Sequence, residues 1–118
     1  MESWQVALEE QIDGDVLFDS ISKILYSTDA SMYQIDPMGV VYPMHAKDVS
    51  RTIRIAYEHG VPITPRGGGT SLAGQSVGKS VHIDTSRHMN ALLEVNEEEH
   101  WARVQPGVVL DELNALLK

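Results

Sequence analysis

Residues 65–80 read PRGGGTSLAGQSVGKS, and the reading of this stretch decides the fold. Gly67, Gly68 and Gly69 in a row permit positive φ and close approach of backbone to a ligand. Successive N–H groups there can form an anion-holding concavity, to which Thr70 and Ser71 add hydroxyl donors. Two familiar phosphate loops fail the test. A nucleoside-triphosphate loop, G-x-x-x-x-G-K-[ST], needs glycine at position 73, which is Ala73, and a helix after Ser80. Lys79-Ser80 lead instead into the alternating, β-branched SVHID, so a helix N-terminus is missing from the phosphate site. The dinucleotide fingerprint G-x-G-x-x-G also fails. Its sixth position from Gly67 is Leu72, and its third from Gly69 is Ser71. What remains is strand, glycine loop, strand. A plain surface loop is the alternative reading, but Arg66 at the mouth and apolar runs on both sides favour an anion cradle.

Working outward, residues 61–65 read as a short strand punctuated by prolines. Residues 46–59 read as a helix, with Val49, Ile53, Ala56 and Tyr57 on one face and Gly60 as its C-terminal cap. Residues 40–43, VVYP, read as the first strand. Before it, 3–12 and 15–26 read as helices separated by Asp13-Gly14. The second carries Leu17, Ile21, Ile24 and Leu25 at helical spacing, and 27–39 form a turn-rich connector. After the glycine loop, SVHIDTS is extended, with Val81 and Ile83 on one face and His82 and Asp84 on the other. Residues 91–107 read as an antiparallel hairpin with a polar turn at 96–99. Val109, Leu113, Leu116 and Leu117 then mark a helix with no cap, ending within an apolar stripe. The order is α+β: a small mixed sheet with flanking helices. The expected division is 1–39, N-terminal helices and connector, and 40–118, a ligand-binding subdomain.

The chain has 118 residues, enough for one core. Its 9 Lys and Arg stand against 17 Asp and Glu, a net charge of −8, with no basic stripe. Nucleic acid is therefore not expected as a partner, and phosphate is expected to be bound locally by N–H groups, with an Arg as an addition, and not by the overall field. The chain contains no cysteine, which removes disulfides, thiolate nucleophiles and thiolate metal ligands, and fits a reducing compartment. The N-terminus is acidic, with no long apolar run, so neither a signal peptide nor a membrane span is expected. His82 and His88, six apart, lack a carboxylate pattern for metal. With His45, His59 and His100 they read as surface or capping residues, and no metal site is assigned.

TPRGGGTSLAGQSVG resembles the pyrophosphate-binding segment of the flavoprotein family of p-cresol methylhydroxylase and vanillyl-alcohol oxidase. The similarity is greatest to the D-lactate dehydrogenase and glycolate oxidase flavin-subunit branch. It extends over VVYPMHAKDVSRTIRIAYEHGVPITPRGGGTS and VHIDTSRHMNALLEVNEEEHWARVQPGVVLDELNALL, about two-thirds of the chain. The resemblance implies the N-terminal FAD-binding subdomain of that fold. Arg66, Gly67, Gly68, Gly69, Thr70 and Ser71 would wrap the pyrophosphate. Pro43 would lie on the adenine side, and Gly74 and Gln75 where the chain passes the flavin side. Thr85, Ser86 and Met89 would approach the flavin ring, and Pro106 and Gly107 match a segment near the cofactor. Each of the last has a plainer reading: Pro43 as a strand stop, Met89 as core filler, Gly107 as a turn.

The implied reaction is oxidation of a D-2-hydroxy acid, of lactate or glycolate type, with hydride passing to FAD. No catalytic residue is assigned, because no base for the hydroxyl proton is found in these residues. The substrate would be bound mainly beyond residue 118, so the chain reads as an N-terminal fragment, inactive by itself, whose open apolar stripe would drive self-association. Some family members carry a flavin-linked histidine where Thr70 stands here, so the resemblance implies non-covalent FAD. The expected location is the cytoplasm, with peripheral attachment of the parent protein to the inner membrane as an option. The alternative is a globular domain that keeps the fold without cofactor or catalysis.

Overall fold

A computed structural model describes residues 2–18, 38–67 and 79–117. The first element is helix α1, Ser3–Gln11. Its start is a capping box, in which the Glu2 N–H donates to the Gln5 side chain at 2.8 Å and the Glu2 side chain accepts from the Gln5 N–H. Trp4 and Leu8, one turn apart, are its buried residues.

Strand β1, Asp15–Leu17, follows. This corrects the helix expected to begin at residue 15. β1 pairs antiparallel with β2, Gly39–Tyr42, setting Val16 against Val41. Cross-strand pairing overrides a helical spacing that carries only weak propensity. Residues 19–26, the rest of that expected helix, and 27–37 of the connector lie outside the described residues. VVYP accordingly supplies the second strand in chain order.

Helix α2, Ala46–His59, runs as the sequence indicates. His45 caps it, with Nδ1 accepting the Asp48 N–H at 3.3 Å. Gly60 ends it at φ 67°, the left-handed region where glycine carries no steric cost. The Val61 N–H reaches back to the Ala56 carbonyl at 2.8 Å, completing a Schellman motif. The buried face differs from the expected one. It is Asp48, Thr52, Ile55 and Ala56, whereas Ile53 is exposed and Tyr57 is 87% exposed. α1 packs against α2 and selects the face that contributes Ile55 to a core with Trp4, Leu8, Ile12, Val41 and Val81.

β3, Ile63–Arg66, and β4, Val81–Asp84, complete the main sheet, in the order β1-β2-β4-β3. β4 is parallel to both neighbours, in the register Val40↔His82 and Pro65↔Ile83. Pro65 is tolerated because β3 is an edge strand. All four β4 residues are buried. That corrects the placing of His82 among surface residues, since it has 0% exposure. A central parallel strand is covered on both faces, so its polar positions are enclosed as well.

β5, Leu92–Asn96, and β6, Trp101–Val104, form the expected hairpin. The Asn96 side chain accepts the Glu99 N–H at 2.9 Å, and His100 adopts φ 60° to close the turn. Leu93, Val95 and Trp101 are exposed. Helix α3, Leu110–Leu116, leaves Val109, Leu110, Leu116 and Leu117 exposed, with Leu113 half-buried. Among the described residues, no helix is long and apolar enough to cross a membrane.

Candidate functional site

The carboxyl ends of two adjacent parallel strands are where open α/β sheets place ligands. Here β3 ends at Arg66 and β4 at Asp84, paired directly with each other. Beyond them lies a groove of about 740 Å³. One wall is the outer face of α2, including Val49, Ser50 and Ile53. The floor is Ile63, Pro65 and Ile83, on one face of the sheet. Arg66 and Gly67 stand at the end of β3, and Thr85, Met89 and Pro106 form the opposite wall. The apolar face of α2 that does not enter the core therefore lines this groove. A largely apolar cleft with a few polar groups is the usual form of a cofactor site.

The far wall is built from main chain. After β4 the chain turns, and the Met89 N–H donates to the Thr85 carbonyl at 3.1 Å. The Gly107 N–H then donates to the Met89 carbonyl at 2.8 Å. A Cβ on Gly107 would stand 2.0 Å from the Thr85 carbonyl oxygen and 2.7 Å from that of Met89. Only glycine admits this approach. Met89 is 7% exposed and fills the base of the turn. Ser86 donates to Asp84 Oδ1 twice, from its N–H at 2.8 Å and its hydroxyl at 2.6 Å. It is thereby held to the strand end and is absent from the groove lining.

Of the residues expected at the cofactor, Arg66, Gly67, Thr85, Met89 and Pro106 line this one groove. Gly107 braces it from behind. Pro43 is fully buried between β2 and α2, away from the lining. Gly68, Gly69, Thr70, Ser71, Gly74 and Gln75 lie outside the described residues. The residues present fit part of a dinucleotide: Arg66 and Gly67 at the mouth for phosphate, and an apolar cleft beside them for a ring.

Sequence reading missed the residues that brace the near wall. Asp48, fully buried, accepts the N–H groups of Asp13 at 2.9 Å, Gly14 at 3.0 Å and Met44 at 2.9 Å. Burial pushes its carboxyl pKa up, but the N–H donors of Met44, Asp13 and Gly14 outweigh this and hold it below the ordinary value. His45 Nε2 lies 2.8 Å from Asp13 Oδ2. Asp13, His45 and Asp48 stand close enough together to suggest a metal. Yet Asp48 is occupied by three N–H donors and His45 Nδ1 by a fourth, so the cluster works as a hydrogen-bond clamp. A faint signal existed, because Asp48 is three residues after the cap His45, where a helix start favours an acid.

Residues 37–118 match the family model described as FAD binding domain. The chain is 45% identical over 108 residues to a D-2-hydroxyglutarate dehydrogenase of Pseudomonas putida, covering 89% of this chain and 11% of that protein. It is 40% identical over 111 residues to a glycolate oxidase subunit, GlcD, of Bacillus subtilis, covering 90% of this chain and 24% of that one. It thus spans about a tenth to a quarter of the length of these relatives. A solved structure of p-cresol methylhydroxylase superposes with a TM-score of 0.82 at 20% identity, over 97% of this chain and 24% of that chain. This last likeness bears on fold, and the fold is the one the sequence resemblance implies. With its groove at the ends of β3 and β4 and its match over residues 37–118, this chain belongs to the FAD binding domain family, on the fold seen in p-cresol methylhydroxylase.

Proposed function

We propose that the chain is the N-terminal FAD-binding part of a flavin-dependent oxidoreductase that oxidises a D-2-hydroxy acid. The observation that carries the cofactor reading is the convergence of Arg66, Gly67, Thr85, Met89 and Pro106 on one groove. The similarity to a D-2-hydroxyglutarate dehydrogenase and to a glycolate oxidase subunit supports the substrate class. Bound FAD supplies the two-electron acceptor. The chain's own residues hold and orient it. Main-chain donors of residues 66–71, with the Thr70 and Ser71 hydroxyls, bind the pyrophosphate, each N–H to a charged oxygen contributing about 1.5–3 kcal/mol. Gly74, Gln75, Thr85 and Met89 would contact the flavin half, while Ser86, held to Asp84, and Pro43, buried between β2 and α2, would support the flavin and adenine sides without lining the groove. Pro106 and Gly107 keep the Thr85–Met89 wall in place. No group in this chain is assigned as the base that takes the substrate's hydroxyl proton.

In this reading residues 40–118 carry the cofactor contacts and residues 1–39 brace them. The substrate is bound mainly by protein outside this chain, and the chain alone has no turnover. The exposed Val109, Leu110, Leu116 and Leu117 support self-association of the isolated chain. The absence of cysteine accords with work in the cytoplasm, with peripheral attachment to the inner membrane as a further element of the proposal.

The test is flavin content of the intact protein, read from its visible absorption, followed by turnover on a panel of D-2-hydroxy acids with an artificial electron acceptor. A yellow protein reducible by one of these acids is expected. Gly68→Val should abolish flavin retention, since a β-branched side chain can neither take positive φ nor admit close backbone approach. A folded, colourless wild-type protein would favour a globular domain without cofactor.

A further inference from the structure

The groove has two walls from distant parts of the chain, α2 and the Thr85–Met89 turn. Neither covers the other, yet both are tied from behind to the same three residues, Asp13, Gly14 and Asp15. The ties to the α2 wall are several. The Asp13 and Gly14 N–H groups donate to Asp48 across 35 and 34 residues of sequence. The Asp13 carboxylate meets His45 at 2.8 Å and Arg51 at 3.7 Å. The ties to the turn come from Asp15. Its Oδ2 accepts Arg87 Nη1 at 3.3 Å and lies 3.0 Å from His88 Nε2. These partners are 72 and 73 residues away in sequence. The Arg87 guanidinium also lies 3.7 Å over the Tyr42 ring, which fixes the direction of its reach. Gly14 keeps the segment flush against the sheet, since a Cβ there would stand 1.9 Å from the Tyr42 carbonyl oxygen.

The geometry points to residues 13–15 as a clip that sets the spacing of the two groove walls, with Asp15 as the residue that positions the Thr85–Met89 turn. The inference rests on the cofactor reading given above. Asp15 does not line the groove; it acts through Arg87 and His88, which lie between Thr85 and Met89 in sequence. The clip also lies outside residues 37–118, so the family match by itself does not include it. Asp15 is half-exposed, as is Arg87. Exposed ion pairs add little to global stability, so the clip acts on local geometry and not on whether the chain folds.

The test compares wild-type intact protein with Asp15→Asn, Arg87→Gln, the double variant and Asp15→Glu. In the apo state, hydrogen exchange at the Met89 and Gly107 amides should quicken in Asp15→Asn while the melting temperature stays close to wild type. With FAD, Asp15→Asn should raise the dissociation constant about fivefold, in the range usual for coupling between sites. The double variant should be no worse than either single one, because both remove the same tie. Asp15→Glu should restore most of the affinity. Equal FAD affinity and equal amide exchange in wild type and Asp15→Asn would overturn the clip while leaving the cofactor reading intact. Wild-type protein that binds no FAD would overturn the cofactor reading, and the clip with it. If Asp15→Asn does not fold, Arg87→Gln carries the same comparison, and additive effects in the double variant count against the clip.

Discussion

Gly107 and Met89 are joined by an N–H···O bond of 2.8 Å, and the space that a Gly107 Cβ would need is filled by the Thr85 and Met89 carbonyls. The end of the β5–β6 hairpin is thus seated on the turn that walls the groove. Gly107→Ala cannot be absorbed by a rotamer change, because the atoms it meets are main chain. It should cost at least about 2 kcal/mol by the usual penalty for overpacking, and it should weaken FAD retention by moving Thr85 and Met89. Urea titration and flavin absorbance read the two effects. A Gly107→Ala protein with wild-type midpoint and colour would show that this seat has no influence on the groove.

Asp48 provides a second test, through pH. Three N–H donors hold its folded pKa below the value of about 3.9 in an unfolded chain. Such a group adds stability that is fully present above the unfolded pKa and disappears as pH falls through the folded one. Acid unfolding below about pH 4 should therefore steepen through Asp48. Asp48→Asn should lower stability at neutral pH by about 2–4 kcal/mol, since one amide oxygen cannot serve all three donors. The variant's acid limb should be flatter than that of wild type. Parallel pH profiles for the two proteins would show that the clamp is not the source.

The elements differ in how far local pattern could reveal them. α2 was legible from the Ala46–His59 periodicity and Gly60, and the hairpin from its alternation, because both are settled by neighbours in sequence. The buried face of α2 was not legible. Val49 and Ile53 look like core positions, yet the partner α1 selects Thr52 and Ile55, and the apolar face left over lines the groove. β1 was hidden because Asp15-Val16-Leu17 becomes a strand only by pairing with β2, more than twenty residues on. His82 was misplaced because alternation in SVHID suggests one wet face, whereas a central parallel strand has none. Five cofactor candidates converge in one groove because their motif carries strand-end geometry with it. Asp13 and Asp15 carry no motif and Asp48 only a faint helix-start signal, and the ties of all three to distant residues arise from long-range contact.

The apolar residues at the C-terminal end give a third prediction. Leu110 and Leu116 are 68% and 69% exposed, and Leu93 on the hairpin is 57% exposed. Several large apolar side chains left exposed in this way favour association of the isolated chain. Light scattering on the 118-residue chain should show species above monomer mass, shifting toward monomer in a Leu110→Glu, Leu116→Glu double variant. The variant should keep its fold, because α3 has no buried residue to lose. A wild-type chain that is monomeric at high micromolar concentration would contradict the idea.

The last prediction concerns how the cofactor is attached. Related loops of the form R-x-G-G-H-S carry a histidine that bonds to the flavin ring. Aligned on Arg66, this chain places Thr70 at that position, and a threonine hydroxyl does not form the link. The chain has no cysteine to supply a thioether instead. His82 is fully buried within β4, and His88 Nε2 lies 3.0 Å from the Asp15 carboxylate. FAD held only by hydrogen bonds and packing should leave when the fold is lost. Acid precipitation of the intact holoprotein should therefore release the flavin into the supernatant and leave a colourless pellet. Thr70→His would place an imidazole where related loops have one, and is the variant in which colour could come to pellet with the protein. Colour in the wild-type pellet, with the flavin mass found on a peptide from residues 60–90, would show that the loop holds its cofactor by a covalent bond after all.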